Sequence, residues 1–407
     1  MNSGEAAPRR LVTLLAAACG LIAANLYYAQ PLAGPISRDL GLPPAAAGLI
    51  VTMTQVGYGL GLLFIVPLGD LVETRLLVRA ALALATLALI GAGLATAPAP
   101  FLACALLVGL GSVAVQVLVP YASHLAPEHE RGRVVGKVMG GLMTGIMLAR
   151  PAASFIADVA SWRTVLLISA GLMALTAVVL SRKLTPRRPA PGLSYGALMA
   201  SMVELMARTP VLRRRALYQA AMFGAFSVFW TASPLLLLGP DYGLRQSQVA
   251  LFALVGAAGA IAAPLTGHWA DKGWVRVGTL MALTAGAAAF LLSRLAPAHS
   301  MWGVAWLAVC GVALDFAVSA NLVFGQRVIY GLSAHHRSRM NGLFMATFFC
   351  GGAIASALAG WAYASGGWSL TALLGAALPA AALVYALTEK AALKQAPADS
   401  AKKPALK

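Results

Sequence analysis

Charge is scarce in this 407-residue chain: 11% of its residues are charged, against roughly 25% in a soluble globular protein. Hydrophobic residues make up 60%, and the mean hydropathy is +0.80. So few charges cannot cover a globule with polar groups, so much of the surface is expected to face lipid. Acids are scarcer still, with 13 Asp and Glu against 30 Lys and Arg and a net charge of +17. The basic residues sit in links between apolar runs, a pattern of membrane topology rather than of nucleic-acid binding. Cysteine is limited to Cys19, Cys104, Cys310 and Cys350, all inside apolar runs. That excludes an extracellular disulfide framework and makes them small packing residues. There is no Gly-rich phosphate loop, which argues against ATP hydrolysis. The six histidines (His124, His129, His268, His299, His335, His336) lie in loops, and the His335-His336 pair is too sparse for a metal site. No cofactor, metal or catalytic constellation is read, and the chain is not read as an enzyme.

What is present is a series of apolar runs. A bilayer core takes about 20 apolar residues per helix. Twelve stretches qualify: Leu11–Gly34, Ala45–Leu68, Leu76–Thr96, Phe101–Tyr121, Val134–Ala157, Thr164–Ser181, Ala216–Leu238, Val249–Gly267, Val277–Leu295, Met301–Phe324, Met340–Tyr363 and Leu370–Leu387. The first, preceded by Arg9 and Arg10, has the look of a signal peptide, but eleven further runs and no exportable soluble domain speak against that. The termini and even-numbered links hold twenty-five Lys and Arg; the odd links hold Arg38, Arg163, Arg245 and Arg294. This asymmetry predicts that both termini are cytoplasmic.

The chain also repeats. Pro67-Leu68-Gly69-Asp70-Leu71-Val72-Glu73-Thr74-Arg75 is echoed by Pro264-Leu265-Thr266-Gly267-His268-Trp269-Ala270-Asp271-Lys272-Gly273-Trp274-Val275-Arg276; in each, an acid precedes an Arg by five residues. A sharper echo pairs Arg131-Gly132-Arg133 with Arg337-Ser338-Arg339 at an offset of 206, which also pairs Trp162 with Trp368. The longest link contains Pro186, Pro189 and Pro191 and then a stretch, Ser194–Ala207, that suits an amphipathic helix on the membrane. The expected organisation is an N-terminal six-helix bundle (1–181), a cytoplasmic central loop (182–215), a C-terminal six-helix bundle (216–388) and a cytoplasmic tail (389–407).

Twelve helices in two similar halves, a basic central loop and paired Gly…Asp…Arg loops resemble the major facilitator superfamily, from about residue 9 to 390. Asn25-Leu26-Tyr27-Tyr28-Ala29-Gln30-Pro31 and the Asp70 loop look most like bacterial sugar-efflux and drug:proton antiporter exporters. The resemblance implies an all-α membrane fold, with the first, fourth, seventh and tenth spans lining a cavity. It also implies a cytoplasmic gate at the Asp70 loop. Three departures stand out. Leu71 and Glu73 replace the usual Arg and Gly of that loop. Arg150 stands before Pro151 where the fifth-span antiporter signature has Gly. The fourth span lacks the Arg linked to proton coupling, presenting Gly109, Ser112, Gln116 and Pro120 instead.

Charges inside lipid are costly unless used or paired. Asp315 is the one acid deep in a span and Arg150 the one base, in opposite halves. Gly311, Asp315, Ser319 and Gln326 share a helical face. A carboxyl set between burial and a nearby guanidinium can trade a proton for substrate, which makes Asp315 and Arg150 the proton-coupling candidates. The alternative is a permanent ion pair that holds the bundle. Tyr27, Gln30, Gln116, Gln219, Phe223, Phe226, Trp230 and Ser319 are the substrate-cavity candidates, with helix packing or a lipid-facing belt as the competing reading of the aromatics. Gly132, Gly136, Gly140, Gly141 and Gly145 suggest a close-packing seam. Asp70, Arg75, Asp271, Arg276, Arg337 and Arg339 are the gate candidates; their alternative role is to fix topology.

The leading reading is a secondary exporter of a small organic solute or drug in the bacterial inner membrane, proton-coupled, monomeric and working by alternating access. An importer or facilitator of a sugar or carboxylate with the same fold is the first alternative. A non-transporting membrane scaffold or sensor is the second.

Overall fold

The computed structural model describes residues 9–127, 130–186, 194–258, 265–270, 272–333 and 336–389. Among these, all regular structure is helical. That follows from the apolar runs: in lipid a backbone must satisfy its own N–H and C=O groups, and a helix does so within one segment. The helices are α1 (Arg9–Ala24), α2 (Ala29–Leu40), α3 (Leu49–Phe64), α4 (Thr74–Leu94), α5 (Pro98–Ser112), α6 (Ala114–His124), α7 (Arg131–Val159), α8 (Trp162–Lys183), α9 (Tyr195–Arg208), α10 (Pro210–Leu238), α11 (Gln246–Ala253), α12 (Val275–Ser293), α13 (Met301–Leu332) and α14 (Arg337–Leu387). Ten helical segments among the described residues are long and apolar enough to cross a membrane, which makes this a multi-pass membrane protein.

The difference from twelve has two sources. The eleventh and twelfth expected runs lie in the 51-residue α14, whose helical path breaks at Gly366 and at Gly367 (φ 58°). The eighth begins as the short α11, tightens into a 3-10 turn over Leu254–Ala258, and continues into residues outside the described set. Two other runs are bent. The first divides between α1 and α2, because Pro31 lacks the N–H that would continue the helix back to Tyr27. The fourth divides at Val113 into α5 and α6.

Proline also frees a carbonyl at the junction of the halves. Pro35 inside α2 cannot bond Pro31 O, and that oxygen accepts from Gln246 Nε2 of α11 instead (2.8 Å). Nearby, Thr52 Oγ1 donates to Ala353 O (3.0 Å) and Ser356 Oγ to Gly48 O (3.3 Å). A side chain on Gly48 would run into the backbone of Ser356. The halves are thus in backbone contact at the Gly48 end. At the opposite, Asp70 end, α9 bridges them. Ser194 caps α9, its Oγ accepting from Ala197 N (3.2 Å). Tyr195 Oη donates to Phe64 O on one side (3.0 Å), and Arg339 donates to Ser201 Oγ on the other (3.2 Å). The apolar face of α9 lies on protein, with Leu198 and Met202 buried and Met202 packed among Leu212, Ile329 and Phe344.

Within the first half, α1 and α7 cross closely. Gly141 packs on the Ala16 carbonyl and Gly145 on Gly20, so a Cβ at either would collide with backbone. Gly132, Gly136 and Gly140 have open space around them and take no part in the seam. Pro151 leaves α7 unbroken. All four cysteines are free thiols.

Candidate functional site

At the centre, where the halves face one another, one guanidinium organises the side chains. Arg150 projects from α7 and is 2% exposed. Its Nε donates to Gln30 Oε1 at 2.7 Å, across from the start of α2. Three rings surround its Cζ: Trp230 at 4.3 Å, Phe226 at 4.9 Å and Tyr27 at 5.1 Å. Phe226 and Trp230 stand one helical turn apart on α10, and Tyr27 sits in the turn between α1 and α2. A desolvated cation–ring contact contributes about 0.5–2 kcal/mol, and a hydrogen bond to a charged group about 1.5–3 kcal/mol. These contacts partly offset the cost of taking the cation out of water. The compensation is incomplete. Arg150 Nη2 and Gln30 Nε2 are both buried donors with no partner within the protein, and each such group costs about 1–3 kcal/mol.

Asp315 enters from α13 of the other half and is 3% exposed. Its Oδ1 accepts from Trp230 Nε1 at 2.9 Å. Its Oδ2 lies beside Gly256 in the turn after α11. A Cβ built on Gly256 would stand 3.1 Å from Oδ2, 2.8 Å from Arg150 Nη1 and 3.1 Å from Trp230 Cζ2. Acid and base are therefore neighbours across one glycine, but they are not bonded. The ion pairs among the described residues are Arg133–Glu130, Arg163–Asp39, Arg208–Glu204 and Arg215–Glu389. The permanent Asp315–Arg150 ion pair considered above is absent from this arrangement. Trp230 links the two charges: its ring stacks on the cation while its N–H binds the acid.

The remaining cavity candidates fall into two groups. Phe223 stacks on Phe226 (5.1 Å between centroids) and meets Phe348 (3.9 Å) and Phe349 (5.1 Å), and Phe349 leans on Tyr58 (4.5 Å). Tyr58 Oη in turn accepts from Gln116 Nε2 (2.9 Å). This band runs from the first half to the second and is continuous with the Arg150 cluster through Phe226. Gln219 belongs elsewhere. Its Nε2 donates to Val318 O (3.4 Å) and its Oε1 accepts from Asn321 Nδ2 (2.6 Å), so it is tied within the second half. Ser319 is half-buried.

The gate candidates are dispersed. Asp70 is exposed and Arg75 half-buried. Arg337 donates to Tyr330 O (3.2 Å), Arg339 to Ser201 Oγ (3.2 Å) and Arg276 to Glu389 O (3.0 Å). Asp271 lies outside the described residues. The structure does not bring Asp70 to Arg337 or Arg339.

Three features escape a reading of the sequence. Gly256 resembles every other glycine in its run, and only its neighbours across the halves distinguish it. Gln55 bonds Ser227 Oγ across the halves (3.1 Å) and keeps its own Oε1 buried and unpartnered. Asp315 and Arg150 also are not the only buried charges. Arg215 and Glu389, assigned to a link and to the tail, pair at 3.0 Å with exposures of 6% and 8%. Thr279 accepts from Arg215 Nη1 (3.0 Å) and Tyr218 donates to Glu389 (3.4 Å). The spacing of 174 residues hides that pair. Among the described residues no group of three or more His, Cys, Asp or Glu could hold a metal ion.

Comparison with known proteins agrees with this architecture. The Major Facilitator Superfamily profile matches residues 14–329 and 221–407. An uncharacterized transporter of Escherichia coli O157:H7, YgaY, is 38% identical over 372 residues, covering 90% of this chain and 92% of that one. A probable transporter of Streptomyces coelicolor, SCO4007, is 33% identical over 373 residues, covering 89% and 84%. Among solved structures, a bacterial homologue of the human lysosomal transporter Spinster, inward-facing and unoccupied, aligns with a TM-score of 0.71 at 17% identity, covering 93% of this chain and 95% of that one. A POT family transporter in complex with 5-aminolevulinic acid aligns with a TM-score of 0.75 at 14% identity, covering 93% and 96%. At these identities the two structures speak to the fold. The two-fold repeat, the apolar helices and the full-length relatives together place the chain in the major facilitator superfamily, as a membrane transporter of that type.

Proposed function

We propose that this protein is a secondary active transporter that exports a small organic solute by alternating access, coupled to protons through Asp315. The observation that carries the reading is the central pair of opposite charges, one from each half, buried side by side and left unbonded. A structural ion pair gains most by closing. A pair held open by Trp230 and the rings around Arg150 is suited to exchanging partners. Asp315 is the group that takes and releases the proton, and Arg150 sets the charge balance against which it does so.

In this reading the chain crosses the bacterial inner membrane twelve times as a monomer. Both termini are cytoplasmic, with bundles at 1–181 and 216–388, a central loop at 182–215 and a tail from 389. The excess of Lys and Arg in even-numbered links supports that orientation. The Gly48 end, where the halves touch, then faces outward. The Asp70 end faces the cytoplasm, with the gate residues apart, as they are when the cavity opens inward. An importer of a carboxylate is the second reading, favoured by the unpartnered donors on Arg150 and Gln30.

Reconstituted flux tests the proposal. Proteoliposomes carrying an imposed pH gradient are assayed against a solute panel, with the wild type and Asp315→Asn compared. The expected result is gradient-driven accumulation in the wild type and only downhill exchange in the variant. Undiminished gradient-driven accumulation by Asp315→Asn removes Asp315 from coupling; no flux of any solute removes the transport mechanism.

A further inference from the structure

The edge of Arg150 that faces Gln30 is chemically specific. In a guanidinium, Nε and Nη2 lie along one edge with parallel N–H bonds, the spacing that a carboxylate matches. Here Nε is engaged by Gln30 Oε1. Nη2, on the same edge, and Gln30 Nε2, on the same amide, have no partner in the protein, although Arg150 is 2% and Gln30 0% exposed. Two buried donors of adjoining groups, one of them charged, call for an acceptor that is itself charged.

The local balance of charge limits what that acceptor is. Arg150 supplies one positive charge, and Arg215, the other buried base described above, is consumed by Glu389. A phosphate or sulfate dianion would be under-compensated here, whereas a carboxylate is matched by one guanidinium. The surroundings limit the rest of the molecule. Phe223 and Phe226 present bare rings, Trp230 spends its N–H on Asp315, and Tyr27 adds a ring with a single hydroxyl, a lining that suits an apolar or aromatic body rather than a polyol.

Asp315 adds a condition. The titratable groups facing it are Arg150 on α7 and Tyr27 in the α1–α2 turn, and the other neighbours are Trp230 on α10 and Gly256. With Asp315 ionised, a second carboxylate beside Arg150 would sit next to a like charge in a low-dielectric centre. With Asp315 protonated, the repulsion is gone. Carboxylate and proton therefore enter the site together.

Resting on the second reading above, in which this centre is the transport site of a carboxylate importer that carries the proton in the same direction, we propose that the solute is a small monocarboxylate with an apolar or aromatic body. Its carboxylate is held by Arg150 Nη2 and Gln30 Nε2 and binds together with one proton on Asp315. The proton comes from solution and leaves with the solute; no covalent bond is made or broken.

Calorimetric titration of the purified full chain in nanodiscs tests this, using benzoate, phenylacetate and hexanoate, each against its own neutral amide, with inorganic phosphate as a further probe. At about pH 5.5, at least one acid is expected to bind roughly tenfold or more tighter than its amide, a contrast of about 1.4 kcal/mol, and tighter than phosphate. That preference is expected to disappear in Arg150→Gln and to shrink in Gln30→Leu. Should Arg150→Gln fail to fold, Arg150→Lys keeps the charge without the two-donor edge and is expected to lose most of the preference. Raising the pH to about 7.5 is expected to weaken the acid, and binding in weak buffer to take up a proton. In Asp315→Asn both effects are expected to vanish. The proposal is overturned if no acid outbinds its amide, if phosphate binds best, if Arg150→Gln keeps the preference, or if wild-type acid binding ignores pH. Proteoliposome flux separates this from the transport reading: gradient-driven flux of other solutes without any carboxylate preference overturns the subsite alone, while carboxylate binding without flux overturns transport alone.

Discussion

The two halves are built to one plan and differ where charge is placed. At the offset of 206 residues, Gly145 corresponds to Gly351, and each brings the fifth helix of its half against the backbone of the first: Gly145 on Gly20, Gly351 on Ala220. Trp162 corresponds to Trp368, and each indole N–H reaches a polar group at 3.1 Å, Asp39 in one half and Ser293 in the other. The same offset pairs Arg150 with Ser356, Gly109 with Asp315 and Lys183 with Glu389. Ser356 fastens the halves, and Gly109 packs against the Thr54 carbonyl. Duplication supplied the scaffold, and the departures from symmetry supply the charges. Each half gives the centre one ion where its twin has a small neutral residue, so neither half holds both charges.

Substitutions can break this comparison. The largest expected effect is at Glu389. Glu389→Gln strands buried Arg215 and is expected to cost about 3–5 kcal/mol, whereas exposed Lys183→Gln at the corresponding position should stay within about 0.5 kcal/mol. Unfolding in mild detergent measures both; equal losses would mean that the two ends are equally tied. Next come Gly145→Val and Gly351→Val, each expected to cost about 1–3 kcal/mol by overpacking a helix crossing. A loss in one half and none in the other would contradict a shared crossing. Gly256→Ala pushes a methyl between Arg150 and Asp315. It is expected to lower pH-gradient-driven flux about tenfold, a change of about 1.4 kcal/mol, while the unfolding midpoint barely moves; unchanged flux would show that the spacing of the pair is not critical. Smallest are Trp162→Phe and Trp368→Phe, which remove one hydrogen bond each and are expected to cost about 0.5–1.5 kcal/mol. A much larger loss at either would reveal a role beyond that bond.

The apolar runs were legible because a membrane span is written locally, in about 20 consecutive residues. Asp315 and Arg150 stood out for the same reason, as charges inside such runs. Other features depend on what comes from far along the chain. Glu389 follows the last helix and reads as the start of a tail until Arg215 is placed beside it. Gly256 gains its significance from Arg150 on another helix. The break at Tyr27 is local and is signalled by Pro31, yet hydropathy alone runs straight through it. The Asp70 and Arg337 loops carry a recognisable pattern, but the pattern specifies residues and not which partners they take.

In the proposed alternating-access cycle, the carbonyl of Pro31 has a consequence for how the halves separate. A bond inside a helix moves with the helix and resists nothing when rigid bodies part. Pro35 has taken this oxygen out of its helix and left it to Gln246 of the other half. Parting at that end therefore trades one amide for a water molecule, at a net cost of about 0.5–1.5 kcal/mol. In that cycle the proline turns a permanent internal bond into a reusable catch, strong enough to bias one state and weak enough to let go.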